Sequence, residues 1–212
     1  MLIRTCFLVA GSVFWGLASG TTITFDDVPG SCAPATPVPS GYMGLTWTNF
    51  AIVNATTSPC SLAGYGTALT SSPNVGLNGF GLPASFSSPT PFTFDSAYFA
   101  AAFFDGLAVS VTAKSGITTV GTANFTLNTT TKELVTFSFG PVTEVDFSAS
   151  GGTLNPNIVG FGRGGTVFAF DNLTFNTSGV VPEPASIGFL IPGAALLLCL
   201  IRRARKVAPP SA

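Results

Sequence analysis

The sequence has no histidine, few charged residues and, between residues 21 and 179, no helical periodicity of useful length, and each absence excludes a class of function or fold. Without histidine the chain cannot form a Ser-His or Cys-His nucleophile pair, and it lacks the commonest general base near neutral pH. Charged residues make up only 8% of the chain. Between residues 21 and 179, eight acidic residues outnumber three basic ones, which gives a net charge of −5. We therefore expect no nucleic-acid partner, because the basic surface that binds phosphates is missing.

The first 20 residues, MLIRTCFLVAGSVFWGLASG, have the composition of a secretory signal peptide. One cation, Arg4, precedes an apolar run from Cys6 to Leu17, and small residues lead to Gly20. The alternative is an uncleaved membrane anchor. As a helix, the apolar run from Cys6 to Leu17 would cover only about 18 Å of the roughly 30 Å hydrocarbon core of a bilayer. The pattern therefore predicts export, with removal of residues 1–20 by signal peptidase.

Export changes how the four cysteines are interpreted. Cys6 would leave with the signal peptide and Cys199 lies in a C-terminal apolar run, so Cys32 and Cys60 are the pair that remains between residues 21 and 179. An oxidising compartment favours a disulfide between them. The alternative is two unrelated thiols.

The C-terminal region combines an uncharged apolar stretch with a block of cations. Residues 185–201 carry no charge, and as a helix they would reach about 25 Å, just enough to cross a bilayer. The cations that follow should stay in the cytoplasm, which leaves the preceding domain outside. These membrane-stop residues are Arg202, Arg203, Arg205 and Lys206.

Immediately before the apolar stretch, Pro182-Glu183-Pro184 should stay extended, because the two prolines lack backbone donors and restrict their neighbours. This places an accessible processing site at the outer membrane face. The alternative is a stiff spacer. The motif VPEPAS, the apolar stretch and the basic cluster together resemble a PEP-CTERM sorting signal over residues 180–206, followed by a tail at 207–212.

The resemblance implies a bacterial protein that passes through the inner membrane as a single-pass intermediate and is cut near the motif by an exosortase. It also implies release to the cell surface or outside the cell, in association with exopolysaccharide. A GPI signal is the rival interpretation, but such a signal ends in its hydrophobic stretch and not in four cations.

Between residues 21 and 179 the composition favours strands throughout, with Thr, Val, Phe, Gly and Ser dominating. LAVSVTA alternates with Leu107, Val109 and Val111 on one face, and VTEVDFS places Val145 and Phe147 inward. About eight short strands punctuated by Gly, Pro and Ser predict an all-β domain, an antiparallel β-sandwich or jelly roll. The other predicted strands are TITFDDV, GLTWTNFAIV, FTFDSAYFAAAFF, ITTVGTANFTL, ELVTFSF and TVFAFDNLTF.

Two glycine-rich stretches are expected to be loops. Residues 61–90 are rich in Gly, Ser and Pro and should form irregular binding or covering loops. GFGRGG, at 160–165, superficially matches a dinucleotide-binding loop, but a strand and not a helix follows it. We interpret it as a hairpin or loop.

Two acidic residues in the first and last predicted strands form a candidate calcium site. Asp27 and Asp171 both share a strand face with apolar residues, and an ionised carboxylate facing a core is costly unless it is paired, metal-bound or displaced by a bulge. Terminal strands of a sandwich often neighbour each other, and Ca²⁺ suits hard oxygen ligands. The alternative is that Asp27 opens the DDVPG turn and Asp171 lies at a bulge.

Aromatic side chains on open loops would suit the apolar C–H faces of sugar rings. Tyr42 and Tyr65, each flanked by glycine, are the exposed candidates, whereas Trp47 shares a face with Leu45 and is expected in the core. No spacing nominates a catalytic pair of carboxylates. The sequence therefore favours a non-enzymatic surface or matrix protein, structural or associated with exopolysaccharide. The alternatives are a carbohydrate-binding module with structural calcium and, less favoured, a surface hydrolase.

Overall fold

The computed structural model describes residues 20–137, 139–158 and 165–177. The predicted signal peptide, the sorting motif, the membrane helix and the basic cluster lie outside these ranges, as does most of GFGRGG. Within the described ranges no helix is both long and apolar enough to cross a membrane.

The described residues form an antiparallel β domain with little helix. Its helical elements are α1 (Gly64–Ala68) and three single 3₁₀ turns. Every ladder between the described strands is antiparallel. The strands are β1 (Thr21–Ile23), β2 (Thr36–Pro37), β3 (Thr46–Thr48), β4 (Phe50–Asn54), β5 (Asn74–Asn78), β6 (Ala84–Ala101), β7 (Phe104–Asp105), β8 (Leu107–Ser115), β9 (Thr118–Leu127), β10 (Glu133–Thr136), β11 (Val142–Ser150), β12 (Thr153–Leu154) and β13 (Phe168–Thr177).

The long strand β6 links two groups of strands. Its first half pairs with β11 and β3, and β8 and β9 follow beyond β11, so the first group has the order β9-β8-β11-β6-β3. Its second half pairs with β13 and β10. The second group continues from β13 through β5 and β4 to β2, and β1 also pairs with β13. β7 and β12 form a separate two-stranded sheet.

Phenylalanine rings fill the space between the two groups. Phe147 of β11, in the first group, lies 5.7 Å from Phe50 of β4 and 5.8 Å from Phe168 of β13, ring centre to ring centre. Rings at these distances bury large apolar areas and add favourable edge contacts. The packing is that of a sandwich whose inner faces share one core.

The predicted alternation is confirmed in the first group. Leu107, Val109 and Val111 are buried along β8, and Val145 and Phe147 are buried along β11. The residues between them point outward because successive side chains of a strand alternate. This outward face carries the site described below.

The prediction of loops over residues 61–90 is wrong in three places, since α1, β5 and the first part of β6 lie within it. β5 has the sequence NVGLN, and Asn and Gly are depleted in strands. Gly76 is required because a Cβ atom there would lie 2.6 Å from the ring of Phe170. Buried Asn74 and Asn78 are accepted because their amides bond main-chain groups, including Phe25 O, Val28 O and Thr166 O.

Two predicted strands are interrupted by residues with positive φ. TITFDDV keeps its strand only to Ile23, because Phe25 adopts φ 62° and starts the turn closed by Val28 N and Phe25 O. GLTWTNFAIV is divided into β3 and β4 by Asn49, at φ 56°. Asn visits the left-handed region more readily than most residues, because its short polar side chain bonds locally.

Candidate functional site

A patch of short polar side chains lies on the outward face of β8, β9 and β11. The register places Ala108 of the central strand β8 between Thr126 of β9 and Ser150 of β11, and Ser110 in the same way between Asn124 and Ser148. We call these six residues the polar depression: Ala108, Ser110, Asn124, Thr126, Ser148 and Ser150.

The polar depression is a shallow cavity of about 280 Å³, lined by these six residues together with Val109 and Phe125. The central strand β8 contributes Ala108 and Ser110, β11 contributes two serines, and β9 contributes the larger Asn124 and Thr126. Four hydroxyl groups and one amide therefore surround a floor without a charged group. Hydroxyl and amide groups can both donate and accept hydrogen bonds.

An ion-paired cluster lies two to four residues beyond the polar depression along β8 and β11. Lys114 pairs with Asp146, and its Nζ lies 3.9 Å from a carboxylate oxygen of Glu144. The hydrogen bond to Asp146 raises the pKa of Lys114. Burial and the nearby charge of Asp146 raise the pKa of Glu144. These are the carboxylates of the β11 outward face, and both are held beside one ammonium group.

Sequence reasoning missed the polar depression. Each contributing segment alternates apolar and small polar residues, which indicates a solvent face but nothing more specific. The site exists because β11, β8 and β9 are adjacent in the sheet, although more than twenty residues of chain separate β8 from β11. An unusual signal was available: the outward positions are almost all Ser, Thr, Asn or Ala, with long side chains only at the end near Lys114.

The candidate glycan contact Tyr42 is half-buried and not on an open loop. Its ring stacks on Phe25 at 5.8 Å, and its hydroxyl donates a hydrogen bond of 2.5 Å to Asp27. Burial, followed by this hydrogen bond and the charge of Asp27, raises the pKa of Tyr42 well above its ordinary value. Trp47 donates from Nε1 to the Tyr42 carbonyl and packs on the core, as predicted.

The prediction that Tyr65 is an exposed contact is wrong. Its exposed fraction is 5%, and its ring meets Phe103 edge to face at 5.5 Å. Tyr65 lies in α1, whose glycines allow close packing: a Cβ atom at Gly64 would overlap the carbonyl oxygen of Ala101. The flanking glycines therefore serve close packing of backbone and not loop flexibility.

Asp171 is fully buried and is surrounded by donors from the protein itself. Its carboxylate accepts the backbone N–H groups of Thr70 at 2.6 Å, Ser71 at 2.7 Å and Asn172 at 2.7 Å, and the Ser71 hydroxyl at 3.1 Å. Burial raises the pKa of Asp171, and these hydrogen bonds lower it by less. The β6–β13 register shifts after Asp171, where Asn172 has φ 49°.

The two candidate calcium ligands have separate partners, although β1 and β13 are neighbours as expected. Asp27 accepts from Tyr42, whereas the donors around Asp171 present their positive ends to the carboxylate and do not favour a cation. Within the described residues no group of three or more Asp, Glu, Cys or His side chains could hold a metal ion. The surroundings favour the alternative of a turn and a bulge, and calcium binding stays a prediction.

The predicted disulfide between Cys32 and Cys60 is confirmed, with a Cα–Cα distance of 5.7 Å. It joins the segment before β2 to the turn before α1. The backbone N–H of Cys60 also contacts Cys32 Sγ at 3.1 Å. The bridge thereby fixes two irregular segments that lie outside the main ladders.

A second exposed feature is the turn Gly79-Phe80-Gly81, where Phe80 is 95% exposed and has φ 56°. The turn is held by its neighbours. Gly79 N donates to Asn49 O at 2.7 Å, and Thr166 Oγ1 donates to Gly81 O at 3.3 Å. A strained, solvent-facing aromatic on a fixed turn is a feature that packing does not explain. From the sequence, this turn was only part of the loops predicted over residues 61–90.

No protein-family model matches the chain, and no curated protein matches it. A solved structure of a DUF4465-family protein from Bacteroides caccae superposes with a TM-score of 0.50 at 14% identity, covering 76% of this chain and 100% of that one. TmCBM61 in complex with β-1,4-galactotriose gives a TM-score of 0.39 at 8% identity, covering 74% and 99%. Arabinose-bound MgGH51 α-L-arabinofuranosidase gives 0.39 at 14%, covering 76% of this chain and 27% of that one.

The likeness to the DUF4465-family protein agrees with the all-β, antiparallel architecture of the chain. At these identities none of the three structures bears on ligand or activity.

Proposed function

We propose that the chain is an exported β-sandwich protein that associates with extracellular polysaccharide through the polar depression. The observation that carries the proposal is the composition of that cavity: hydroxyl and amide side chains from three adjacent strands, around a floor without charge. Such a surface matches the chemistry of a neutral, hydroxyl-rich polymer. An ionised ligand would find no countercharge within it.

The size and openness of the cavity favour one unit of a long chain over an enclosed small molecule. Its volume of about 280 Å³ is just below that of typical ligand pockets, which have about 300 to 1,000 Å³. A polymer can lie across an open sheet face and place one ring in a shallow depression while its neighbours stay in water. Binding of this kind depends on many weak contacts along the polymer.

The proposed role is binding and not catalysis. No acidic residue lines the cavity. The nearest acids of the β11 outward face, Glu144 and Asp146, are paired with Lys114. The sequence also has no histidine to serve as a base. A hydrolase would require a free acid and base flanking the bound polymer.

The proposal is tested by affinity electrophoresis and calorimetry of the full-length chain against neutral polysaccharides and the exopolysaccharide of the producing cells. Ala108→Trp fills the centre of the polar depression from an exposed strand position. We expect it to weaken binding at least about tenfold, because a tenfold change corresponds to about 1.4 kcal/mol, the value of one or two lost hydrogen bonds.

Thr118→Trp is the matched control, since it adds the same ring to an exposed position at the far end of β9. Its affinity should stay within about twofold of wild type, a difference of only about 0.4 kcal/mol. Equal binding by both variants would remove the polar depression from the proposal. The absence of saturable binding to any of the polysaccharides would leave a purely structural role.

We also propose that the chain reaches the surface by exosortase processing, on the strength of Pro182-Glu183-Pro184, the apolar stretch and the basic cluster. Mature protein isolated from its own host should lack residues 202–206, which intact-mass spectrometry detects directly. Replacing Glu183 and both prolines by alanine should retain the tail. A reporter fused after Ala212 that proved to be outside the cytoplasm would contradict the orientation on which this route depends.

A further inference from the structure

The strand β9 forms a long edge at one end of the sandwich. Within the described ranges it forms a ladder with β8 alone, over the ten residues Thr118–Leu127. An edge strand of this kind exposes a row of backbone N–H and C=O groups along its free side. Residues 115–131, which contain it, carry no charged residue and no proline.

The other edges are protected, and β9 is the exception. At the opposite end of the strand order, β2 has two residues, one of them Pro37. The edges β1 and β3 have three residues each, and β10 has four, with a charge at Glu133. Shortness, proline, charge and β-bulges all keep sheet edges from pairing with other chains. Of these, β9 has only a register irregularity against β8 next to Gly121, and residues 121–127 pair with β8 without interruption.

We propose that β9 pairs antiparallel with β9 of a second copy of this chain, about a twofold axis near the middle of the strand. Such pairing is self-complementary, since a residue i that faces residue j of the other strand is matched by j facing i, and only residues at the axis face their own equivalents. The uncharged strand places no like charges opposite each other, which matters for a domain whose net charge is −5. A foreign strand would need its own matching edge, whereas a second copy always supplies one.

The pairing would double the outward polar surface. Thr122, Asn124 and Thr126 point to the same face as the polar depression, and the twofold axis would bring a second set beside them. A single pair of edge strands buries little area, so association is expected to be weak and to depend on concentration. At a crowded cell surface or in a matrix, where the chain is locally concentrated, it would join copies into pairs.

Sedimentation velocity of the full-length chain in mild detergent, from about 1 μM to 1 mM, tests the pairing, because weak complexes fall in this range of dissociation constants. Thr122 is exposed and central in β9, so Thr122→Lys and Thr122→Glu place like charges across the axis. Each variant alone should dimerise at least about tenfold more weakly than wild type, a loss of about 1.4 kcal/mol. Mixing the two should restore association, because opposite charges then meet.

Thr48→Lys adds the same charge to an exposed position of β3, at the opposite end of the first group of strands, and it should dimerise like wild type. Hydrogen exchange at high and low concentration should show concentration-dependent protection in β9 and none in β3 or β10. A wild-type chain that stays monomeric throughout, or a mixture of Lys and Glu variants that associates no better than either alone, overturns the proposal.

Discussion

Removal of the Asp171 carboxylate should destabilise the domain more than its conversion to an amide. In Asp171→Ala the backbone N–H groups of Thr70 and Ser71 lose the oxygen that both share, Oδ2. Two unpaired donors cost about 2 to 4 kcal/mol, and for a domain of 150 to 250 residues this lowers Tm by about 5 to 15 °C. In Asp171→Asn the remaining oxygen can keep both bonds, so the expected cost is about 1 kcal/mol.

The pH dependence supplies an independent check on the same carboxylate. Because burial raises the pKa of Asp171, the native state holds its proton more tightly than the unfolded state does. The stability of the wild-type protein should therefore fall as pH rises from the ordinary Asp value, about 4, through the raised native pKa. Asp171→Asn does not titrate there, and its profile should be flatter.

Urea denaturation at pH 4 to 7, with all three proteins compared at equal ionic strength, measures both effects. An Asp171→Ala variant within about 0.5 kcal/mol of wild type at pH 7 would refute the reasoning, since it would show that water reaches Thr70 and Ser71 in place of the carboxylate. A wild-type stability that rises through this window relative to Asp171→Asn would refute the assigned direction of the pKa shift.

Three further predictions concern other parts of the domain. Replacing Cys32 and Cys60 by serine should lower the free energy of unfolding by about 3 to 4 kcal/mol, because the disulfide closes a loop with a sequence separation of 28. Urea denaturation measures the loss, and a value below about 1 kcal/mol would contradict this prediction. Phe80→Gly should raise stability by up to about 1 kcal/mol by relieving the positive φ, and a loss would mean that the ring packs on the domain. A calcium site at Asp27 or Asp171 predicts that chelator lowers Tm, and an unchanged Tm would leave the turn and the bulge as the reason for these residues.

Strand identity could be predicted from the sequence because alternation is a local property. A residue pattern such as that of β8 fixes which side chains point inward wherever the strand is placed. The disulfide was equally accessible, because Cys32 and Cys60 were the two cysteines left after the ends were set aside. Failures occurred where tertiary contacts override propensity. β5 is a strand because the buried Asn74 and Asn78 find main-chain partners that no local pattern reveals.

The predicted site residues also show that local sequence patterns do not reveal tertiary contacts. Tyr65 looked exposed because glycines flank it, yet those glycines let the short helix approach the backbone of β6 closely enough to bury the ring. Asp171 looked like a cation ligand because it shares a face with core residues. Its actual partners, Thr70 and Ser71, lie about a hundred residues earlier in the chain. Contacts between residues so far apart in the chain depend on the topology of the fold, and the spacing of residues along the sequence does not reveal them.

Composition and period-two alternation were enough to predict the β character of the domain, its disulfide and the lack of histidine chemistry. The adjacency of β11, β8 and β9, which brings scattered Ser, Thr and Asn residues into one cavity, depends on the tertiary structure, and so does the position of β9 at the end of the strand order. Strand pairing is non-local, because the energy of a ladder depends on which strands meet, and the packing of the whole core determines which strands meet.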